Sequence, residues 1–271
     1  MQETFYKVKG SVNKRIALIS DLHEKPYDWI LSSFQRQKPD MILICGDLIN
    51  GRRPLHHTYK TDEISHILTF LRECAVTAPV YYSLGNHERL LSPYDLKKIR
   101  ETGVTVLDNA WVKTEDLIIG GLTSYKRDIY QSFKAQYHPG ELYPHSEPSR
   151  MKELQEKDYI WLKEMEQQDG FKILLSHHPE CWKLRAPYLC EYRFDLVLSG
   201  HAHGGQFRYY RNHAWHGLFG PDQGLFPEYT EGMHTGKYGS MIISRGCSNT
   251  APHIPRLFNP LEIVYIELTA Q

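Results

Sequence analysis

Three apolar runs, Arg15 to Ser20, Met41 to Cys45 and Val80 to Leu84, each stop abruptly at polar residues, and amphipathic segments separate them. A strand buried on both faces of a parallel sheet reads as a continuous apolar run, so each predicts such a strand with a polar loop at its carboxyl end. Between them, Pro26 to Gln37 carries Pro at a helix start and Trp29, Ile30 and Phe34 at helical spacing. Asp62 to Ala78 likewise places Ile64, Ile67, Leu68 and Leu71 on one stripe. The β-α-β-α-β order implies a parallel sheet with helices on its faces and a site at the carboxyl edge.

Further along, a helix is expected from Pro93 to Glu101 and short strands around Val104 to Leu107, Trp111 to Lys113 and Leu117 to Gly120, which suggest a second sheet. Leu122 to Ser149 breaks the rhythm with scattered Tyr, Phe and Pro, and reads either as a surface excursion packed by its own aromatics or as a lid or substrate wall. A helix capped by Ser149 and stopped by Asp169-Gly170 follows. Strand-like runs at Lys172 to Leu175 and Leu196 to Leu198 each end in histidines; a Gly-rich aromatic stretch, Gly217 to Tyr238, leads to the last two strands, Ser240 to Ser244 and Glu262 to Leu268. No internal repeat or linker interrupts the chain, so residues 1–271 read as a single domain.

Of 271 residues 41% are apolar, and Lys+Arg 32 balance Asp+Glu 32, so the chain has the composition of a folded protein and not of a disordered one. The neutral balance weighs against a protein that tracks nucleic acid. Five cysteines, Cys45, Cys74, Cys181, Cys190 and Cys247, show neither a disulfide framework nor Cys-x-x-Cys spacing. Met1 to Gly10 has no signal-peptide pattern and no apolar run is long enough to span a bilayer, so a cytoplasmic location is expected. The unusual count is 15 His, and histidine is the commonest metal ligand.

The histidines matter because of where five of them fall. Ser20-Asp21-Leu22-His23, Gly46-Asp47, Gly85-Asn86-His87-Glu88, Ser176-His177-His178-Pro179 and Gly200-His201-Ala202-His203-Gly204-Gly205 all sit at the ends of expected strands. Asp-x-His and His-x-His place two side chains on one face of an extended segment, so each can chelate one ion. Carboxylate, imidazole and amide oxygen together suit Mn, Fe, Zn or Ni better than a thiolate site or an all-oxygen calcium site.

These five blocks, in this order, resemble the calcineurin-like metallophosphoesterase family. Glu88 stands where Asp is commoner, at a position that is not a metal ligand in the family. The downstream Gly-Gly-Gln, Leu225-Phe226-Pro227, Ser244-Arg245-Gly246 and Asn259-Pro260-Leu261-Glu262 are similar to the bacterial YkuE-like and UDP-2,3-diacylglucosamine pyrophosphatase-like branch. The resemblance implies an α/β fold, a four-layer α/β/β/α sandwich of two mixed sheets flanked by helices. It implies two divalent transition metal ions, Mn first, with Fe, Zn or Ni as alternatives. Asp21, His23, Asp47 and His203 would hold one, and Asp47, Asn86, His177 and His201 the other. His87 would protonate the leaving oxygen or orient the phosphate, and a metal-bridging hydroxide would attack phosphorus in a phosphomonoester, phosphodiester or pyrophosphate. The expected partner is a small phosphorylated substrate, such as a nucleotide-sugar or a lipid-linked phosphate. A nuclease of the same fold, or a non-catalytic protein-binding scaffold, is the alternative.

Other residues carry competing readings. His178 must point away from His177 if the segment is extended, which makes it a supporting residue. Arg52 and Arg53 either contact a substrate anion or belong to a solvated loop; Arg245 either reaches phosphate or pairs with a carboxylate. His213 and His216 are candidates for the pocket rim, and the other histidines read as surface. Cys45 has apolar neighbours, those of a small core residue and not of a nucleophile.

Overall fold

A computed structural model describes residues 1–50, 64–124, 159–183, 188–249 and 255–270. In chain order the first half gives β1 (Gln2–Gly10), β2 (Lys14–Ile19), α1 (Asp28–Gln37), β3 (Met41–Cys45), α2 (Ser65–Thr77), β4 (Val80–Ser83), α3 (Pro93–Arg100) and β5 (Thr105–Leu107). Then come β6 (Ala110–Lys113), β7 (Leu117–Leu122), α4 (Ile160–Glu166), β8 (Phe171–Ser176) and β9 (Leu196–Ser199). Two hairpins follow, β10 (Arg208–Arg211) with β11 (Ala214–Gly217) and β12 (Phe219–Gly220) with β13 (Gly224–Leu225), before β14 (Gly232–Thr235), β15 (Ser240–Ile243) and β16 (Glu262–Ala270).

The long strands form two six-stranded sheets, ordered β1-β16-β2-β3-β4-β5 and β14-β15-β9-β8-β7-β6. Both are mixed: β2, β3, β4 and β5 run parallel with β16 antiparallel to β2, while β7, β8, β9 and β15 run parallel with β6 and β14 antiparallel at the edges.

Successive side chains of a strand point to opposite faces, so a run apolar at every position has to be covered twice. Ile16 and Leu18 of β2 and Leu43 and Cys45 of β3 share a buried cluster with Leu196, Leu198 and Ile242, which joins the two sheets face to face. The alternate residues Ala17, Ile19, Ile42 and Ile44 pack with Ile30, Phe34, Ile67, Leu71 and Ile99 of α1, α2 and α3. On the other outer face Leu174, Val197 and Ile243 cluster with Leu162 and Met165 of α4 and with Trp182 and Phe194. Each such side chain contributes roughly 1.5–3 kcal/mol on burial. The result is the α/β/β/α sandwich implied by the resemblance.

Two parts of the sequence reading need correction. Residues Gln2 to Gly10, within the Met1 to Gly10 stretch read above only for the lack of a signal pattern, form β1, an edge strand whose side chains are mostly exposed or half-buried, so no apolar run betrays it. The stretch Gly217 to Tyr238 contains β12, β13 and β14, too short and too exposed for periodicity to reveal. The start of the helix expected from Ser149, and all but the first residues of the Leu122 to Ser149 segment, lie outside the described residues. Among the described residues no helix is long and apolar enough to cross a membrane.

Candidate metal centre

The two sheets meet at their carboxyl edges. β2 leads into Asp21 and His23, β3 into Asp47, β4 into Asn86 and His87, β8 into His177, and β9 into His201 and His203, and all of these except His87 are buried. The turns are not extended. Asp21, His23, Asp47, His201 and His203 all adopt positive φ, between 47° and 64°. Five left-handed residues other than glycine in one site are costly, on the order of 1 kcal/mol each, and such strain collects at functional sites. The extended-segment argument for Asp-x-His and His-x-His is therefore corrected: the pairs converge through left-handed turns and not along one face of a strand. Glycine closes the packing at Gly46, where a Cβ would stand 2.6 Å from Gly85 Cα and 2.7 Å from His177 Nδ1.

The turns bring four overlapping groups of donors together: Asp21 with His23 and His203, Asp47 with His177 and His201, His23 with Asp47 and His87, and His178 with His201 and Asp222. The first two contain the Asp and His residues that the resemblance names as ligands. Asp21 Oδ1 lies 3.5 Å from His203 Nε2 and 3.7 Å from His23 Nε2. Asp47 Oδ2 lies 3.1 Å from His177 Nε2, 3.7 Å from His87 Nε2 and 3.9 Å from His23 Nε2, so it touches both of these groups. Asn86 is buried directly before His87, whose backbone N–H donates to Asp47 Oδ1 at 2.9 Å.

Whether a cation fits this cluster is decided by hydrogens. His177 Nδ1 is 2.7 Å from the Cys45 carbonyl, which only accepts, so Nδ1 carries the proton. The neutral ring then presents an Nε2 lone pair to a carboxylate oxygen at 3.1 Å, acceptor against acceptor. A second proton or a metal ion must come between them. Both ring nitrogens of His23, Nδ1 of His203 and Oδ1 of Asn86 are also buried without a hydrogen-bond partner. Buried polar atoms are rarely left so, and divalent transition ions take this mixture of oxygen and nitrogen donors. The residues fit the group.

The electrostatics follow the same pattern. Burial works to raise Asp21 and Asp47, but His203 and His177 beside Asp21, and His177 and His87 beside Asp47, hold both carboxyls below the ordinary range. Burial works against protonation of His177, yet Asp47 and Asp21 hold it well above its usual value. Burial pushes His203 down to about 4 and His87 to about 3, each against the pull of its aspartate.

Three residues to which the sequence reading gave no role shape the site: Glu88 and Asn259, noted there only as parts of motifs, and Asp222, which it did not single out. Glu88 is buried and receives the backbone N–H of Asp47, Leu48 and Gly85 and the Tyr82 hydroxyl. Asn259 donates to the His203 carbonyl at 2.7 Å. Asp222 Oδ2 stands 3.2 Å from His201 Nε2. Of the ambiguous residues, His178 packs on His201 with ring centroids 3.9 Å apart, beside the site as expected. Arg245 pairs with Glu262 at 2.8 Å and Glu231 at 3.5 Å, which settles it as a carboxylate partner. Cys45 is a buried core thiol raised by that burial, and it donates to the Leu198 carbonyl. His213 and His216 are exposed on the β10–β11 hairpin. Arg52 and Arg53 lie outside the described residues.

Residues 14–205 match the family described as calcineurin-like phosphoesterase. The chain belongs to this family. It is a metallophosphoesterase, a hydrolase of a family that binds divalent metals, and its buried Asp and His groups are consistent with a two-metal site. An uncharacterized metallophosphoesterase of Aquifex aeolicus is 25% identical over 272 residues, 97% of this chain and 87% of the relative. The phosphodiesterase YaeI of Escherichia coli is 25% identical over 209 residues, 72% of this chain and 62% of its own length. The metallophosphoesterase Cj0846 of Campylobacter jejuni is 27% identical over 93% of this chain, which spans 57% of that protein. Among solved structures, a dimetal phosphatase from Danio rerio superposes with a TM-score of 0.50 at 13% identity, covering 94% of this chain and 99% of that one, and shows the shared calcineurin-like fold.

Proposed function

We propose that this metallophosphoesterase holds one divalent ion with Asp21, His23, Asp47 and His203 and a second with Asp47, Asn86, His177 and His201. The observation that carries this reading is the place of Asp47, whose Oδ2 lies 3.1 Å from His177 Nε2 and 3.9 Å from His23 Nε2. Asp21 Oδ1 also reaches both groups, at 3.7 Å from His23 and 3.8 Å from His177, but its approach to His177 is longer, and the family resemblance gives the shared role to Asp47. Two such ions, manganese or else Fe, Zn or Ni, supply Lewis acidity to phosphoryl oxygens and acidify a water for in-line displacement. The protein supplies the rest. Asp47 damps the repulsion between the ions by its shared charge. His87 has the most open side chain of the cluster, 20% exposed against 9% or less for the aspartates and other imidazoles. It is therefore the residue that meets substrate. Burial keeps the imidazole neutral in the metal-free protein, which suits orienting the phosphate, and a substrate phosphate beside it would favour the protonated ring needed to protonate the leaving oxygen.

The bond cleaved is read as a phosphodiester or pyrophosphate, supported by the likeness to a protein named a phosphodiesterase. Phe219, Leu225 and Phe226 lie exposed on the β12–β13 hairpin, whose loop residue Asp222 reaches His201, and such a rim suits a nucleotide-sugar or lipid-linked phosphate. Zero net charge disfavours nucleic acid, and five free cysteines suit a reducing, cytoplasmic setting.

Metal-stripped protein reloaded with Mn is the test. Hydrolysis of bis-p-nitrophenyl phosphate that appears with Mn and vanishes with chelator supports the reading, and rates on a UDP-sugar diphosphate, a cyclic nucleotide and single-stranded DNA rank the substrates. A fully loaded protein inert toward every phosphoester would leave the scaffold reading standing instead.

A further inference from the structure

His201 differs from the other candidate ligands in what lies behind it. Its Nε2 stands 3.2 Å from Oδ2 of Asp222, in the loop between β12 and β13, and the Asp222 side chain is 13% exposed. A carboxylate accepts and does not donate, so Nε2 carries the ring proton and Nδ1 is the nitrogen left to bind an ion. Asp222 also lies 3.5 Å from Nδ1 of His178, whose ring packs on His201, and His178 Nδ1 lies 3.5 Å from Oε2 of buried Glu180.

The loop is held in place for this. Gln223 donates to the Tyr229 carbonyl at 2.7 Å and to Glu180 Oε1 at 3.2 Å, and its own Oε1 accepts the Tyr229 N–H at 2.9 Å. Asp222 itself sits at φ +61°, a left-handed conformation that glycine would adopt more easily. The candidate ligands of the other group have no such backing among the described residues: the carboxylates near His23 and His203 are Asp21 and Asp47, themselves candidate ligands.

We infer that Asp222 is a positioning residue for the second ion, fixing the tautomer and orientation of His201 and raising the basicity of its ligating nitrogen. The inference rests on the proposed assignment of His201 to that ion. Carboxylates behind metal-binding imidazoles commonly alter affinity by about 10–100-fold when removed. The effect should fall on one ion only, because Asp222 reaches His201 and none of Asp21, His23 or His203.

The experiment titrates metal-stripped wild type, Asp222→Ala and Asp222→Asn with Mn, reading the bound ions by calorimetry and by the electron paramagnetic resonance of free Mn. Asp222→Ala is expected to bind one ion as wild type does and the other about 10–100-fold more weakly. Asp222→Asn keeps an acceptor oxygen without the charge, so it should fall between the two, at least about threefold weaker than wild type at that ion. It also serves as the reading if the alanine chain does not fold. Wild-type constants for both ions in either variant, or an equal loss at both ions, would overturn the inference. Fewer than two ions in wild type would instead overturn the two-ion assignment, and that result is visible before any variant is made.

Discussion

Glu88 accepts the backbone N–H of Asp47 at 2.8 Å, tying the turn after β3 to the turn after β4. Each carboxylate oxygen serves two short donors: Oε2 takes Asp47 N and Gly85 N, Oε1 takes Leu48 N and the Tyr82 hydroxyl. Glu88→Gln therefore sets an amide NH₂ against two buried donors in either flip. The expected cost is about 2–3 kcal/mol of stability, read by urea denaturation of the metal-stripped protein, together with weaker metal binding. Unchanged stability would mean that the turns hold their shape without the anion.

His87 separates chemistry from metal binding. Its ring lies 3.7 Å from Asp47 but belongs to the open side of the cluster. His87→Ala should lower kcat by about 10²–10⁴-fold while metal analysis still finds two ions per chain. Loss of an ion in this variant would make His87 a ligand.

The blocks at the strand ends were legible because each packs its functional residues within a few positions of an apolar run, and the sheet does the converging. What the sequence did not disclose is how the turns close. Left-handed φ at Asp21, His23 and His203 leaves no compositional mark, since glycine is absent at those positions. Asp222 lies in a short hairpin with no periodicity, 21 residues past the His201 it contacts, and Glu88 reaches Asp47 across 41 residues. The second sheet was only partly readable: β6 was expected at Trp111 to Lys113, but the edge strand β14 is short and half-exposed and left no pattern. Inner strands buried on both faces, such as β3 and β8, announce themselves.

Removing metal should make stability depend on pH in a particular direction. His177 in the metal-free protein is held well above 6.5, with burial opposing and Asp47 and Asp21 outweighing it. A raised histidine contributes stability that is complete below its unfolded value and is lost as pH rises through the folded one. Asp47 and Asp21 are depressed, so their contribution is present above 3.8 and lost as pH falls below it. His87 and His203, held down near 3 and 4, stay neutral in the fold while their unfolded forms take protons below about 6.5, so acid also costs stability. Metal-free protein should thus be most stable near pH about 6.5, weakening below it through these two rings and above it through His177. Metal binding competes with protons and strengthens in that same range. The gap in Tm between loaded and stripped protein should widen from pH 6 to pH 9 by thermal scans, and a constant gap would contradict the Asp47–His177 pairing.

Arg245 offered two readings from sequence, a phosphate contact or a carboxylate partner, and the two predict opposite results on mutation. The side chain is buried, with Nη2 2.8 Å from Glu262 Oε1 and 2.9 Å from Gln2 Oε1, so it links the β15 turn to β16 and β1. Removing one partner of a buried ion pair strands the other charge and costs about 3–5 kcal/mol. Arg245→Ala should lose stability of that order in urea, with KM for a phosphoester within about twofold of wild type in the fraction that stays folded, because the guanidinium is already committed to carboxylates. Arg245→Lys keeps the charge but not the two-pronged geometry and should lose less. A KM raised more than about tenfold with stability intact would return Arg245 to the substrate.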